Sequence, residues 1–317
     1  MLSIGIDVGG TKIAGGLLNE SGLLQATVLQ ATPQDPDGAY AAITDVIRKL
    51  ARGSEVSAVG LGLPGFINAS RSTLLFAPNL PGWENWPLAE TLRLEVGLPV
   101  VLENDANAAA WGEAVFGAGR GHRDLACVTL GTGVGGGLIL DGRLHRGRWG
   151  FAGELGHMQV KTAGRPCGCG LQGCWEQYTN GSALRKEAQE QAARQGAEAA
   201  VLLSYGDGTL DGIEAAHVTK AASRQDPVAM KSLDTVGTWL GRGLATLSAL
   251  LDPALFVIGG GVSVAGELLL EPARRALADA LPAQSHRSLP ELRCAQLGND
   301  AGMVGAAHLA VLANPPL

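Results

Sequence analysis

Short apolar runs, each closed by glycine or proline, alternate along this chain with longer stretches whose apolar residues fall three and four apart. Residues 2–8 form an apolar strand broken by Asp7. After Gly9-Gly10-Thr11-Lys12 a second alternating run over 13–18 predicts a hairpin with a glycine-rich turn. Residues 23–30 read as a third strand, and helical spacing over 37–51 follows the start signal Pro36-Asp37. A strand is predicted over 56–63, ended by Pro64-Gly65, then a helix over 88–96, a strand over 100–102 and an alanine-rich helix over 104–115.

The pattern then repeats in outline. A strand over 124–130 leads into a glycine turn over 131–137 and a strand over 138–140, echoing the first hairpin and pointing to two related halves. Helices are predicted over 176–195, 213–223 and 226–251, and a buried strand over 254–258 runs into Gly259-Gly260-Gly261. A helix over 265–281, a strand over 292–297 and a helix over 301–312 close the chain. Strands alternating with helices define an α/β class. At 317 residues the chain exceeds what one core fills, so two domains are expected, with residues 117–121 as the hinge candidate.

Composition narrows the function. Hydrophobic content of 46% with 17% charged residues is that of a globular protein. A net charge of −6 argues against nucleic acid as a partner, since neutralising phosphates needs a basic surface. It leaves room for a nucleotide held by backbone amides and Mg2+. The start of the chain shows neither a basic n-region nor a long apolar stretch, and no run approaches the roughly 18 apolar residues of a membrane span. A cytoplasmic protein is expected, and five cysteines without a disulfide ladder fit a reducing compartment.

Three of those cysteines, Cys167, Cys169 and Cys174, lie within reach of His157 in a glycine-rich stretch. Three thiolates and an imidazole complete a tetrahedral zinc shell, and a shell with no open position is structural rather than catalytic. Its flanks, Glu154, His157 and Glu176, offer the acids and bases a polar substrate needs. Each of the three glycine turns follows an apolar strand, which places it at a strand's carboxyl end and makes its amides candidates for binding phosphate. Between the first two lies Glu103-Asn104-Asp105-Ala-Asn107. Asn104 or Asp105 serves there either as a helix cap or, in the second reading, as a carboxylate taking a proton from a substrate hydroxyl during phosphoryl transfer. Asn79, in a prolyl turn, offers an amide suited to sugar hydroxyls.

These residues resemble, over essentially the whole chain, the ROK family of repressors, open reading frames and sugar kinases. The resemblance is carried by Asp7-Val-Gly-Gly-Thr-Lys12, Pro78-Asn-Leu-Pro-Gly, Glu103-Asn-Asp-Ala-Asn107 and Leu130-Gly-Thr-Gly-Val-Gly-Gly136. Ala152-Gly-Glu-Leu-Gly-His-Met158, Cys167-Gly-Cys-Gly-Leu-Gln-Gly-Cys174 and Ile258-Gly-Gly-Gly-Val262 follow in the family's order. It implies the actin-like ATPase (ribonuclease H-like) fold: a smaller N-terminal domain over 1–117 joined by the closing helix at 299–317, and a larger domain over 118–298 with the zinc-binding loop.

The resemblance further implies an ATP-dependent hexokinase-type reaction, foremost glucose to glucose 6-phosphate, with Asp105 as general base. Asn79, Asn104, Asp105, Glu154, His157 and Glu176 would hold the sugar, His157 also ligating structural Zn2+ with Cys167, Cys169 and Cys174. Gly9, Gly10, Thr11 and Lys12, with Gly131, Thr132 and Gly133, would hold phosphates, Gly260 and Gly261 would lie against the adenosine, and Asp7 would reach Mg2+ through water. N-acetylhexosamine and fructose kinases of the family share the same shell, and a non-catalytic sugar sensor is the alternative from another class. Repressor members carry a helix-turn-helix domain ahead of the Asp-x-Gly-Gly-Thr element, which here starts at residue 7, so a kinase rather than a regulator is expected. Self-association as a homodimer or a dimer of dimers is implied as well.

Overall fold

The structure is a computed structural model that describes residues 1–77 and 82–314. Its first part runs β1 (Leu2–Val8), β2 (Lys12–Leu18), β3 (Leu24–Ala31), α1 (Pro36–Ala51), β4 (Val56–Leu63), β5 (Phe66–Ile67), β6 (Leu74–Phe76), β7 (Glu84–Trp86), α2 (Leu88–Val96), β8 (Val100–Asn104) and α3 (Asp105–Phe116). There follow β9 (Leu125–Leu130), β10 (Val134–Leu140), β11 (Arg143–His145), α4 (Glu176–Thr179), α5 (Gly181–Gln195), α6 (Ala200–Ser204) and α7 (Ala215–Ala222). The last elements are α8 (Pro227–Leu251), β12 (Leu255–Gly259), α9 (Glu267–Ala280), β13 (Glu291–Cys294) and α10 (Ala301–Ala313). No helix among the described residues is long and apolar enough to cross a membrane.

The chain divides into two compact units. The first comprises Met1–Arg123, Gly137–Gly153 and Gln296–Leu317, and the second Asp124–Gly136 and Glu154–Ala295. The first unit is therefore larger than the expected 1–117 and 299–317. Gly137–Gly153 goes with it because Gly137 lies against α3, where an added Cβ would come within 2.4 Å of the Ala110 Cβ, and because Arg146 reaches Glu103. The hinge candidate at 117–121 begins as a pinned corner: the buried Glu113 carboxylate accepts the Ala118 N–H at 2.9 Å and those of Gln296 and Leu297 at 3.1 and 2.7 Å.

The first unit is built on a sheet of order β3-β2-β1-β4-β8, with β1, β4 and β8 parallel and the β1–β2–β3 hairpins antiparallel. One face buries Ile4, Ile6, Val8, Val59, Leu61 and Leu63 under Ile43, Val46 and Ile47 of α1 and Leu88 and Leu92 of α2. Helix α1 starts where Pro36 can take the first helical position and Asp35 caps it, accepting the Gly38 N–H at 2.6 Å. The opposite face is nearly side-chain-free, and α10 lies on it backbone to backbone. A Cβ on Gly5 would fall 1.8 Å from the Met303 carbonyl oxygen, and one on Gly60 would fall 1.9 Å from that of Ala306. Trp83 is buried in the α1 side of this core.

A second five-stranded sheet has the order β11-β10-β9-β12-β13, with β9, β12 and β13 parallel. Two expectations are corrected here. The glycine turn expected over 131–137 is confined to Gly131, Thr132 and Gly133, and β10 begins already at Val134, with Gly137 required where the strand meets α3. The helix expected over 176–195 breaks at Asn180, whose extended backbone (ψ 178°) separates α4 from α5. Residues 66–86 carry the small antiparallel β5-β6-β7 sheet, whose strands are too short for a period to show.

Candidate active site and metal centre

In the first unit the three parallel strands end side by side, Asp7 pairing with Gly62, Gly62 with Glu103, and Leu63 with Asn104. Open α/β sheets bind ligands at such carboxyl ends. Asp7 packs against Gly302 of α10, where an added Cβ would come within 2.9 Å of its Cγ. Burial raises its pKa, against the downward pull of Lys12. A carboxylate disfavoured by desolvation gains most from a nearby cation. The β1–β2 turn is tied back on itself, the Gly9 N–H donating to the Lys12 carbonyl at 2.8 Å. Thr32 holds it from the side, its hydroxyl donating to the Gly9 carbonyl at 2.7 Å and its N–H to that of Thr11 at 3.1 Å. Gly10, Thr11 and Lys12 are left exposed on the rim.

At the end of β8 the structure separates the two readings of Asn104 and Asp105. Asn104 is the cap of α3: its Oδ1 accepts the Asn107 N–H at 3.0 Å, and its Nδ2 donates to the Gly65 carbonyl at 3.2 Å. Asp105 stands one residue on, half-buried in the first helical turn, its Oδ1 accepting the Ala106 N–H at 2.8 Å. The positive end of the helix dipole favours a carboxylate there. Beneath this corner lies Glu103, 3% exposed. Its Oε1 accepts from Asn107 Nδ2 at 3.3 Å, and its Oε2 accepts from Arg146 Nε at 2.8 Å, with Arg71 Nε 3.7 Å away. Burial and the charge of Arg146 pull Arg71 down to about 10, while Glu103 holds it up.

In the second unit, β9 and β12 pair in parallel up to Thr129 and Gly259, so the turns that follow them emerge from neighbouring strand ends. Gly260 has φ +83°, and an added Cβ would lie 2.5 Å from the Leu130 carbonyl oxygen, so this turn demands glycine twice over. The Gly131–Thr132–Gly133 turn is held from behind by the start of α5: Asn180 Nδ2 donates to the Thr132 carbonyl at 2.7 Å and the Gly181 N–H to the Gly131 carbonyl at 3.0 Å.

The cysteine loop folds as its spacing leads one to expect. One ligand atom from each of His157, Cys167, Cys169 and Cys174 lies within 4.8 Å of every other. Cys169 Sγ and Cys174 Sγ are 3.7 Å apart, as are Cys167 Sγ and His157 Nδ1. A tetrahedral shell with bonds of about 2.3 Å has edges of roughly 3.8 Å, close to both of these separations, so the four side chains are candidates to hold zinc. Burial pushes the Cys167 thiol up to about 12 and raises Cys174 as well, while the Leu171 backbone N–H lowers Cys169. Trp175 anchors the loop: its N–H donates to the Met158 carbonyl and its Nε1 to the Trp239 carbonyl, at 2.8 and 2.9 Å.

The metal shell and the polar flanks share contacts. Cys167 Sγ donates to Glu176 Oε1 at 3.0 Å, and the other Glu176 oxygen faces the Gly133 turn, 3.0 Å from where a Cβ would stand. Glu154 is raised by burial and by the charge of Glu176, against the pull of His157, so the three groups form one cluster. Asn79 lies outside the described residues. Sequence reasoning passed over Arg71, Arg146, Thr32 and Asn180. Asn180 alone had a local signal, an Asn-Gly pair at a helix start; the others act through partners distant in sequence.

Comparison with known proteins agrees with this arrangement. A sequence model of the ROK family matches residues 3–312. A glucokinase of Streptomyces coelicolor is 48% identical over 309 residues, spanning 98% of this chain and 97% of that protein. The crystal structure of a ROK family glucokinase from Streptomyces griseus in complex with glucose and AMPPNP superposes with a TM-score of 0.88 at 49% identity, covering 98% of this chain and 100% of that one. The ROK hexokinase of Thermus thermophilus superposes with a TM-score of 0.81 at 35% identity, covering 99% of each chain.

Proposed function

The chain belongs to the ROK family, with its actin-like ATPase fold, and from that premise we propose that it is an ATP-dependent hexokinase whose substrate is glucose. The observation that carries this reading is the position of Asp105, at the carboxyl end of β8 and uncoupled from the capping duty that Asn104 performs. Its carboxylate takes the proton of the attacking hydroxyl as the sugar oxygen bonds to the γ-phosphorus. The bond from that phosphorus to the bridging oxygen breaks, and its electron pair leaves with ADP. Such a loose transfer asks the protein mainly for positioning and charge neutralisation. The glycine turns supply amides to the phosphates, Glu154, His157 and Glu176 bind sugar hydroxyls, and Asp7 is the acid that would hold Mg2+, which neutralises phosphate charge.

Zinc has a supporting role in this reading. It would be held by His157, Cys167, Cys169 and Cys174, fixing the imidazole and the loop that leads into Glu176. A coupled assay of ADP release over a sugar panel tests the proposal. Glucose is expected to give the highest kcat/KM, ahead of fructose and the N-acetylhexosamines. ADP release with none of the sugars, despite measurable sugar binding, would reduce the protein to a sensor.

A further inference from the structure

We propose that Asn180 is the positioning residue of the Gly131–Thr132–Gly133 turn, setting its amides toward the nucleotide phosphates; this rests on reading that turn as a phosphate cradle. Asn180 stands in the break between α4 and α5, 5% exposed, and performs two tasks with the two ends of one amide. Its Oδ1 accepts the Ala183 N–H at 2.7 Å, capping α5. Its Nδ2 donates to the Thr132 carbonyl at 2.7 Å, and the next N–H along, that of Gly181, donates to the Gly131 carbonyl at 3.0 Å.

The consequence follows from peptide planarity. In a trans peptide the C=O of one residue and the N–H of the next point in opposite directions. Drawing the Gly131 and Thr132 carbonyls toward the start of α5 therefore turns the N–H groups of Thr132 and Gly133 away from it, side by side. Two successive amides presented together make an anion nest. A cap alone would need only an acceptor, which serine or aspartate provides as well as asparagine. The donor half of the Asn180 amide is what the turn requires. The Asn180 N–H also donates to the Glu176 carbonyl at 3.2 Å, so a single turn of chain carries both a sugar-facing carboxylate and the holder of the phosphate turn.

The test compares three variants of the full chain. Asn180→Ser keeps an acceptor for the cap and loses the reach to Thr132; Asn180→Asp keeps the cap and sets an acceptor against the Thr132 carbonyl. Gly131→Ala adds a methyl group where no protein atom lies within 4 Å, so it encroaches on the turn without disturbing the fold. Asn180→Ser is expected to raise the KM for ATP about three- to tenfold, the loss of one neutral hydrogen bond, and Asn180→Asp to raise it further. Calorimetric binding of glucose without nucleotide, and the unfolding midpoint, should stay near wild type in Asn180→Ser, which a merely structural role would not allow, while Asn180→Asp, burying a carboxylate beside a carbonyl, should lower the midpoint. An unchanged KM for ATP in Asn180→Ser, with a raised one in Gly131→Ala, would overturn the role of Asn180 alone. An unchanged KM for ATP in Gly131→Ala would show that the turn is no phosphate cradle, and both readings fall. Loss of folding in both Asn180 variants would assign the side chain to the fold and also overturn the inference.

Discussion

The carboxylate of Glu103 and the guanidinium of Arg146 meet across 43 residues of sequence, Nε and Nη2 lying 2.8 and 2.7 Å from the same Oε2. Side-chain exposure is 4% for Glu103 and 23% for Arg146, so water screens the pair little. Glu103 pairs with Gly62 in the sheet and immediately precedes Asn104 and Asp105, while Arg146 lies on the segment leading to Glu154. The pair thus ties the end of β8, which bears Asn104 and Asp105, to the Gly137–Gly153 segment of the same unit.

Removing Glu103 leaves Arg71 and Arg146 facing each other without a counter-charge. Glu103→Ala is expected to lower stability by about 3–5 kcal/mol, and Glu103→Gln by less, since its amide oxygen still accepts from Arg146. Urea denaturation measures this. A loss below about 1 kcal/mol in the alanine variant would mean that the buried charges find other compensation.

Asp105→Ala and Asp105→Asn should reduce kcat by about a hundredfold to ten-thousandfold while the KM for glucose changes far less, because a general base acts chiefly in the transition state. Steady-state kinetics over both substrates separates the two constants. Turnover near wild type in either variant would remove this carboxylate from the chemistry.

Elemental analysis should find one zinc per chain, and Cys174→Ser should lower that occupancy together with the unfolding midpoint. Because His157 would serve both the metal and the sugar, metal removal by a chelator is also expected to raise the KM for glucose. Equal stability and equal KM with and without metal would contradict a structural zinc.

His308 gives a pH dependence of stability. Burial lowers its pKa, and Trp111 Nε1 donates to its Nδ1 at 2.9 Å; an indole N–H can only donate, so the ring is neutral with Nδ1 as acceptor. In the unfolded chain the imidazole takes up a proton near pH 6.5. Below that pH the unfolded state binds the extra proton, so the contribution of His308 is present above about pH 6.5 and lost as pH falls toward its depressed folded value. Thermal unfolding between about pH 7 and 5 should show a shallower fall in His308→Gln than in the parent chain. Parallel slopes would refute this assignment.

Much of this architecture was legible because its signals are local. Asp7 through Lys12 announces a strand end and a glycine turn within six residues, and the cysteines lie close enough in sequence that spacing alone pointed to the cluster they form with His157. The break at Asn180 was hidden because the helical segments on either side follow one another with no loop between them, leaving the Asn-Gly pair as the one mark. The early start of β10 was hidden for the opposite reason. Gly135, Gly136 and Gly137 look like a turn, yet Gly137 sits in a strand because α3 leaves no room for a side chain. Glu103 with Arg146, and Glu113 with the Gln296 and Leu297 amides, pair across long loops, where no periodicity reaches.

The seating of α10 on Gly5 and Gly60 sets the order of synthesis against the order of assembly. The ribosome delivers the first strands early, with their glycine surface bare, and makes the helix that covers them much later. Domains generally fold as they emerge, amino end first. Here the nascent sheet must wait, half-clad, until α10 leaves the exit tunnel.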